Sequence, residues 1–199
     1  MKGLVVVVGL PGVGKSTVLG KLEEQAARQG IKTQTINYGT VMMEVAAETG
    51  GQVAHRDEMR RRSLEFQWKL QAEAARRIAE KAESFDGITL LDTHMIIRTG
   101  SGYLPGLPSH VVSILKPKLI ALVEAPPSDI AARRLKDAGV RMREEAVAGE
   151  VEFELQLSRV MAAACATLTG APVLVVENLE GQAENAAAKL LKAIQGLEG

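Results

Sequence analysis

Hydrophobic positions along this chain recur with two different periods. Short runs rich in valine, isoleucine and leucine predict buried strands, and the stretches after them carry apolar residues every three or four positions, which predicts amphipathic helices. Strands that alternate with helices in this way are typical of a parallel sheet flanked by helices. We therefore expect an α/β protein with a five-stranded parallel sheet. The predicted strands span residues 4–8, 33–37, 88–91, 119–123 and 173–176.

The helical patterns lie between these strands and after the last one. Ser128 is expected to cap the N-terminus of one helix, and residues 99–108 are rich in glycine and proline, which predicts a loop. We find no internal repeat or linker, so residues 1–199 are expected to form one domain with two excursions, at about 39–83 and 134–159. The predicted helices span residues 16–29, 41–49, 64–83, a short segment to about 115, a segment from 128, 150–168 and about 183–194.

Two apolar helix faces and the single cysteine carry expectations about packing. Both faces are expected to lie in the core rather than at a partner surface. The first comprises Val41, Met42, Val45 and Ala46, and the second comprises Leu157, Val160, Met161 and Ala164. Cys165 stands in an apolar run, so we expect a small packed side chain rather than a reactive thiol.

Composition narrows the choice of partners and compartments. Lysine plus arginine and aspartate plus glutamate both total 24, so no net charge draws the protein towards nucleic acid or an acidic membrane. The apolar run at residues 4–8 is too short to span a bilayer, and no other segment approaches the required length. One cysteine cannot form an internal disulfide or a Cys-rich zinc site. We expect a cytoplasmic protein that acts on small molecules.

The strongest chemical signal directly follows the first predicted strand. Its residues fit the pattern G-x-x-x-x-G-K-[ST] at every fixed position, with a strand before them and an amphipathic helix after them. The glycines let successive backbone N–H groups converge on phosphate oxygens, and the helix N-terminus adds a partial positive charge. This P-loop predicts the binding of Mg-ATP. Its residues are Gly9, Leu10, Pro11, Gly12, Val13, Gly14, Lys15, Ser16 and Thr17.

A magnesium site is expected between the P-loop and the third predicted strand. Asp92 ends that strand, at the carboxyl edge of the sheet where ligands bind in doubly wound folds. The Ser16 hydroxyl and the Asp92 carboxylate are the predicted metal ligands, and Lys15 is predicted to reach the outer phosphates. Thr93 follows Asp92 where a water-activating ATPase would often have glutamate, which argues against a simple hydrolase.

The arginines favour phosphoryl transfer to a second anionic nucleotide. The chain has neither Asp-x-x-Gly nor Asn-Lys-x-Asp, which GTPases use to sense phosphate and read guanine. A nucleoside monophosphate offers an anionic oxygen near pH 7 and needs no catalytic base, but it does need arginines to hold two repelling phosphate groups in line. The candidates are Arg56 and Arg60 in the first excursion and Arg133, Arg134, Arg141, Arg143 and Arg159 in or near the second.

Several segments together resemble the archaeal adenylate kinases from end to end. Besides the P-loop, the chain carries His-Arg-Asp-Glu-Met-Arg at 55–60 and Gly-Tyr-Leu-Pro-Gly-Leu-Pro at 102–108. Shorter matches lie at 37–42, 92–94 and 168–171. The resemblance implies the reaction ATP + AMP ⇌ 2 ADP with Mg²⁺, and assembly as a homotrimer. The second excursion is short and lacks cysteine, so it is not the zinc-stabilised lid of some bacterial relatives.

The resemblance also implies roles for individual residues. Gly39 and Thr40 would line the AMP site, and Asn178 would lie beside the adenine of ATP. The AMP phosphate would be approached by Arg56, Arg60, Thr93, His94 and Arg98. Arg133 or Arg134, with Arg141, Arg143 and Arg159, would clamp the phosphates from the lid. For His94, the alternative is a loop histidine bonded to nearby backbone.

Two other functions stay open at this point. A kinase for CMP, UMP or dTMP would share the P-loop and the arginines and differ only in its base pocket. A nucleotide-binding regulatory module would bind ATP without making ADP from AMP, although the second set of arginines would then lack a purpose.

Overall fold

Five apolar runs form one parallel sheet with helices on both faces. The computed structural model describes residues 2–49, 58–59, 62–100, 102–137 and 148–198. The strands are β1 (Gly3–Val8), β2 (Thr33–Asn37), β3 (Ile88–Thr93), β4 (Ile96–Thr99), β5 (Gly102–Pro105), β6 (Leu119–Glu124) and β7 (Val173–Glu177). The helices are α1 (Lys15–Arg28), α2 (Tyr38–Glu48), α3 (Leu64–Ser84), α4 (Ser109–Leu115), α5 (Pro127–Asp137), α6 (Ala148–Thr169) and α7 (Ala183–Gln195), followed by a 3₁₀ turn at Gly196–Glu198.

The strand order of the sheet is β2-β3-β1-β6-β7, and every neighbouring pair is parallel. β1, β3 and β6 are buried along nearly their whole length, because helices cover both faces of a parallel sheet. β2 is only half-buried, which explains its more polar sequence. The predicted five-stranded parallel sheet is confirmed, and each predicted strand lies where the pattern placed it.

Alternate residues of β1 supply two separate cores. Val6 and Val8 pack on one face with α2, α3 and α4, while Val5 and Val7 pack on the other with α1 and α7. Burial of each such side chain contributes about 1.5–3 kcal/mol relative to exposure. Cys165 lies in the first core, so the prediction of a small packed side chain is confirmed, and burial raises the pKa of its thiol. Within the described residues, no helix combines the length and apolar character needed to cross a membrane.

The two helix faces expected in the core behave differently. Val41, Val45 and Ala46 of α2 are buried as predicted, and Met42 packs at their edge. On α6, Leu157 and Met161 pack against the core, but Val160 is 65% exposed and Ala164 is also exposed, so the prediction is wrong for half of that face. Periodicity shows that one side of a helix is apolar, but the same period serves a core and an uncovered surface.

The segment predicted as a loop at 99–108 begins as part of a hairpin. β4 and β5 pair antiparallel, with Ile96 opposite Pro105. Gly106 follows this hairpin where the chain passes so close to His94 that a Cβ would lie 1.8 Å from the His94 carbonyl oxygen. The prediction of Ser128 as a helix cap is also wrong, because α5 starts one residue earlier at Pro127 and the Pro126 carbonyl accepts the first amide bonds.

Candidate active site

The carboxyl ends of three neighbouring strands bring the predicted site residues together. In the sheet register Asp92 of β3 lies opposite Val7 of β1 on one side and Asn37 of β2 on the other. The P-loop leaves the end of β1, and α2 starts directly after Asn37. Two helix N-termini therefore begin at one edge of the sheet, where parallel sheets bind their ligands.

A chain of polar contacts connects these two helix starts. The Lys15 ammonium donates to one oxygen of the Asp92 carboxylate, and both side chains are buried. The Asn37 amide donates to the other Asp92 oxygen at 2.8 Å. The side-chain oxygen of Asn37, Oδ1, caps α2. It accepts from the Thr40 backbone N–H at 3.0 Å and from the Thr40 hydroxyl at 3.2 Å. The P-loop lysine, the strand-end carboxylate and the first turn of α2 thus form one connected unit.

The first two carbonyl groups of the P-loop are held at its entrance. His94, in the loop after β3, lies with Nδ1 2.8 Å from the Gly9 carbonyl oxygen. Because a carbonyl only accepts, Nδ1 carries the proton in this contact. The Leu10 carbonyl accepts from the Val13 N–H at 3.3 Å, which closes a turn inside the loop. The alternative interpretation of His94, a loop histidine bonded to nearby backbone, therefore holds for Nδ1.

Side chains from outside the loop hold the next three carbonyls. Arg134 Nε donates to the Pro11 oxygen at 2.8 Å, and Arg133 Nη1 donates to the Gly12 oxygen at 3.2 Å. Asn178, after β7, donates from Nδ2 to the Val13 oxygen at 2.8 Å. In a planar trans peptide the N–H points away from the C=O. Holding the Pro11 and Val13 oxygens therefore turns the Gly12 and Gly14 N–H groups away from these donors, while the Val13 N–H closes the turn to Leu10.

Glycine is required at two positions of this loop. Gly12 has φ +96° and Gly14 has φ +80°, in the left-handed region that other residues rarely adopt. A Cβ on Gly14 would also lie 2.5 Å from Asn178 Nδ2. The two glycines thus allow both the backbone curl and the approach of the Asn178 side chain.

Arg133 and Arg134 are adjacent in sequence but have different surroundings. Arg134 is 11% exposed and pairs at 2.9 Å with Glu154, a buried carboxylate of α6. Arg133 pairs at 2.5 Å with Glu180, which is 81% exposed. Removing Arg134 from its partner would leave a buried charge unpaired, whereas Arg133 can leave its partner to solvent at little cost.

Two further predicted arginines, Arg159 of α6 and Arg98 of β4, are paired with carboxylates. Arg159 makes two bonds to the buried Glu124 at the end of β6, at 2.8 and 2.5 Å. These hydrogen bonds and the negative charge of Glu124 raise the pKa of Arg159. Arg98 of β4 lies 3.0 Å from Glu150 at the start of α6. Arg159 is thus anchored at the carboxyl edge of the sheet, and Arg98 contacts the start of α6.

The hairpin is connected to the same helix. The Tyr103 hydroxyl donates to Glu154 at 3.3 Å, and its ring packs against Phe153 with centroids 5.8 Å apart. Desolvation raises the pKa of Tyr103, and the negative charge of Glu154 adds to that rise. Tyr103 therefore stays protonated and able to donate at neutral pH.

The donors for a metal ion fit magnesium. No group of three or more histidine, cysteine, aspartate or glutamate side chains that could hold a metal occurs in the part of the chain that the structure describes. Magnesium usually takes one or two protein oxygens and completes its shell with water and phosphate. The Ser16 hydroxyl, exposed at the start of α1, and the buried Asp92 carboxylate are donors of that kind.

The remaining predicted residues divide into two groups. Gly39 and Thr40 lie in the first turn of α2, Thr93 ends β3 and His94 follows it, so all four lie at the sheet edge beside the P-loop. The other group lies outside the described residues and consists of Arg56, Arg60, Arg141 and Arg143.

Three residues of this site carry no role in the sequence interpretation. Glu124 ends an apolar strand just as Asp92 does, so the same signal could have found it. Asn37 is a helix cap, a role that its position before α2 suggests. Glu154 has no such signal, because its contact with Arg134 depends on how α5 and α6 pack.

The fold and the phosphate cradle together define a P-loop nucleotide-binding protein, and comparisons with known proteins agree. A family profile described as "AAA domain" matches residues 8–152. Over 98% of this chain and 95% of the other, the fold is similar to the crystal structure of a sugar kinase from Janibacter sp. HTCC2649, with a TM-score of 0.53 and 16% identity. That likeness concerns the fold alone.

Curated relatives identify the family. The adenylate kinase of Methanopyrus kandleri is 42% identical over 98% of both chains. Those of Saccharolobus solfataricus and Methanocaldococcus jannaschii are 41% and 40% identical, over 95% and 96% of this chain and 97% and 98% of their own. The chain belongs to the archaeal adenylate kinase family, and the resemblance noted in the sequence is confirmed.

Proposed function

We propose that this chain catalyses the reversible, Mg²⁺-dependent transfer ATP + AMP ⇌ 2 ADP. One observation carries the proposal beyond family membership. The polar chain Lys15–Asp92–Asn37–Thr40 joins the N-terminus of α1 to that of α2 at one sheet edge. Two anion-binding helix starts side by side suit two phosphorylated nucleotides that react with each other.

The ATP side consists of the P-loop and Asn178. The Pro11 and Val13 carbonyls are held by side chains from outside the loop. The Gly12 and Gly14 amides of the same peptides would therefore be available to phosphate oxygens without rearrangement, which favours binding and transition-state stabilisation alike. Asn178 Oδ1 is buried and has no hydrogen-bond partner among the described residues. It is an acceptor of the kind that the amino group of adenine requires, which supports the role implied by the resemblance.

Lys15 has two anionic partners in this account. In the free protein its ammonium pairs with Asp92. A polyphosphate in the P-loop offers a stronger anion, so Lys15 would turn to it while Asp92 keeps the Asn37 amide as a donor. Ser16 and Asp92 would then hold Mg²⁺, which when bound neutralises charge on the transferred group.

The AMP side is formed by the first excursion, at about 39–83. Gly39 and Thr40 would line the AMP site. Its phosphate would be approached by Thr93, His94 and Arg98 together with Arg56 and Arg60. His94 links the two sites, because its ring also contacts the Gly9 carbonyl. No catalytic base is needed, since the AMP phosphate is already anionic at neutral pH.

Arg133 is the better candidate of its pair for contact with the transferred phosphate. Its carboxylate partner is exposed, so it can turn inward at little cost. Arg141, Arg143 and Arg159 would join it from the lid, at about 134–159, and exclude water from the reacting groups. Arg159 would act from its anchored position beside Glu124.

We also propose a homotrimer that acts in the cytoplasm, in nucleotide balance. Support for self-association comes from exposed apolar side chains on α6 and the edge strand β7. Val160 and Leu168 lie on the helix, and Val173 and Val175 lie on the strand. Exposed apolar side chains that lie together are typical of a protein interface.

The acceptor is tested with a panel of nucleoside monophosphates. ADP formation from ATP is measured with AMP, CMP, UMP or dTMP at equal concentration. We expect AMP to give the highest kcat/KM. A preference for a pyrimidine nucleotide would contradict the adenylate assignment, and ATP binding without transfer to any acceptor would favour a regulatory module.

A further inference from the structure

A polar chain, buried at its Arg134–Glu154 pair, runs from the hairpin to the P-loop. The Tyr103 hydroxyl donates to one oxygen of Glu154, Arg134 donates to the other, and Arg134 Nε donates to the Pro11 carbonyl. These contacts join β5, α6 and α5 to the phosphate loop. Each member of the chain is held by the next, so the Pro11 carbonyl is held by groups far away in sequence.

The burial of this chain makes it rigid. The side chains of Arg134 and Glu154 are 11% and 6% exposed. Separating them would leave charge in a poorly solvated place, which is far more costly than breaking a surface pair. The guanidinium fork presents one N–H to the carboxylate and another to the carbonyl, a geometry that lysine cannot reproduce.

The Pro11 carbonyl determines the direction of one amide in the loop. The peptide between Pro11 and Gly12 is planar and trans, as is every peptide in the described chain. The Gly12 N–H therefore points away from Arg134. Gly12 has φ +96°, and glycine has no side chain to restrict its rotation, so the orientation of this peptide depends on outside contacts.

We infer that Arg134 is a positioning residue that sets the Gly12 amide for phosphate binding and is itself held by Glu154 and Tyr103. It acts through the Pro11 carbonyl and does not contact the nucleotide. The inference rests on the proposed function only in taking the P-loop as the ATP site. It gives Arg134 a different role from Arg133, because the carboxylate partner of Arg133 is exposed and Arg133 can turn to the phosphates.

The experiment compares Arg134→Lys, Glu154→Gln and the double variant with the unchanged protein. The dissociation constant of Mg-ATP is measured by calorimetry without AMP, and kcat and the KM for AMP are measured at saturating ATP. We expect each single variant to weaken ATP binding about tenfold, the effect of roughly one net hydrogen bond. The double variant should also lose about tenfold and not hundredfold, because both changes act on one chain. The KM for AMP should stay within about twofold.

Two milder variants complete the series. Tyr103→Phe removes only the outermost hydroxyl and should weaken ATP binding about two- to threefold, even if Glu154→Gln fails to fold. Glu152→Gln removes an exposed carboxylate two residues away on α6 and should leave ATP binding unchanged. It is the matched control for loss of charge on that helix.

Three results would overturn the inference. A hundredfold loss of kcat at saturating ATP in Arg134→Lys, with Glu154→Gln normal, would make Arg134 a direct phosphate ligand. A lower melting temperature with unchanged ATP affinity would make the chain purely structural. A loss of ATP affinity in the double variant equal to the sum of the two single losses would show that Arg134 and Glu154 act independently. Failure of the proposed function is distinct, because it would appear as no ADP from AMP in the unchanged protein while ATP affinities remain measurable.

Discussion

Single side chains keep the phosphate loop ready for its ligand. His94, Arg134, Arg133 and Asn178 come from different parts of the chain, and each donates to a different P-loop carbonyl. The loop motif itself was evident in the sequence, because it is local and contiguous. The donors behind it were only partly evident, since a side chain that reaches the loop across 85 to 165 positions leaves no pattern in the sequence.

Lys15→Ala tests the central cation of the site. Lys15 is the buried ammonium that pairs with Asp92 and faces the phosphates in the proposed reaction. We expect kcat to fall about 10²–10³-fold, the cost of a lost oxyanion-type donor. Lys21→Ala, at an exposed lysine of the same helix, should keep normal turnover. Near-normal turnover of Lys15→Ala in the same assay would contradict the mechanism.

Arg133→Ala tests the arginine of α5 that we expect to contact the transferred phosphate. Its partner Glu180 is exposed, so the variant leaves no buried charge, and the free energy of unfolding should change by about 1 kcal/mol or less. Turnover should fall about 10³-fold or more, as for an arginine that contacts a transferred phosphoryl group. Chemical denaturation and steady-state kinetics of Arg133→Ala, beside the surface variant Arg76→Ala, measure both quantities. A large loss of stability with little change in kcat would assign Arg133 a structural role.

At the scale of elements, the strands of the main sheet were predictable and the hairpin was not. The five strands are continuous apolar runs, which is what burial on both faces of a sheet demands. β4 and β5 have only four residues each, and glycine and proline are frequent in and after them. These residues predicted a loop and masked the two short strands. Gly106 marks the missed structure, because glycine is required where two backbone segments nearly touch.

Gly106→Ala tests that close approach. A Cβ there would lie 1.8 Å from the His94 carbonyl oxygen, so the hairpin or the His94 loop must shift. We expect a loss of about 1–3 kcal/mol in the free energy of unfolding, as for overpacking elsewhere, and a higher KM for AMP. Gly100→Ala, in the turn of the same hairpin, meets nothing within 4 Å and should change neither quantity. Equal behaviour of the two variants would show that the approach imposes no constraint.

For the whole molecule, the fold and the family could be predicted from the sequence, but the exposed apolar face of α6 could not. The face of α6 with Val160 has the period of a core helix, but Val160 and Ala164 on it are exposed in the isolated chain. A homotrimer would explain this disagreement, since an interface and a core use the same apolar pattern. The periodicity of the sequence alone therefore cannot distinguish a helix face in the core from one in a subunit interface.

Val160→Glu tests the proposed assembly. A charge placed in an apolar interface must be desolvated without a partner, so the trimer should dissociate. Light scattering should give three chains for the unchanged protein and one for Val160→Glu. Ala27→Glu, at an exposed position of α1, should keep the mass of the unchanged protein. A monomeric unchanged protein would remove the assembly from the proposal.

The central claim is that two nucleotides exchange one phosphoryl group at a single sheet edge. Phosphorus NMR of the protein with ATP, AMP and Mg²⁺ measures that exchange directly, because ATP, ADP and inorganic phosphate give separate signals. We predict two ADP formed for each ATP consumed, no inorganic phosphate, and no reaction when AMP is left out. ADP and inorganic phosphate in equal amounts, formed whether or not AMP is present, would contradict the account.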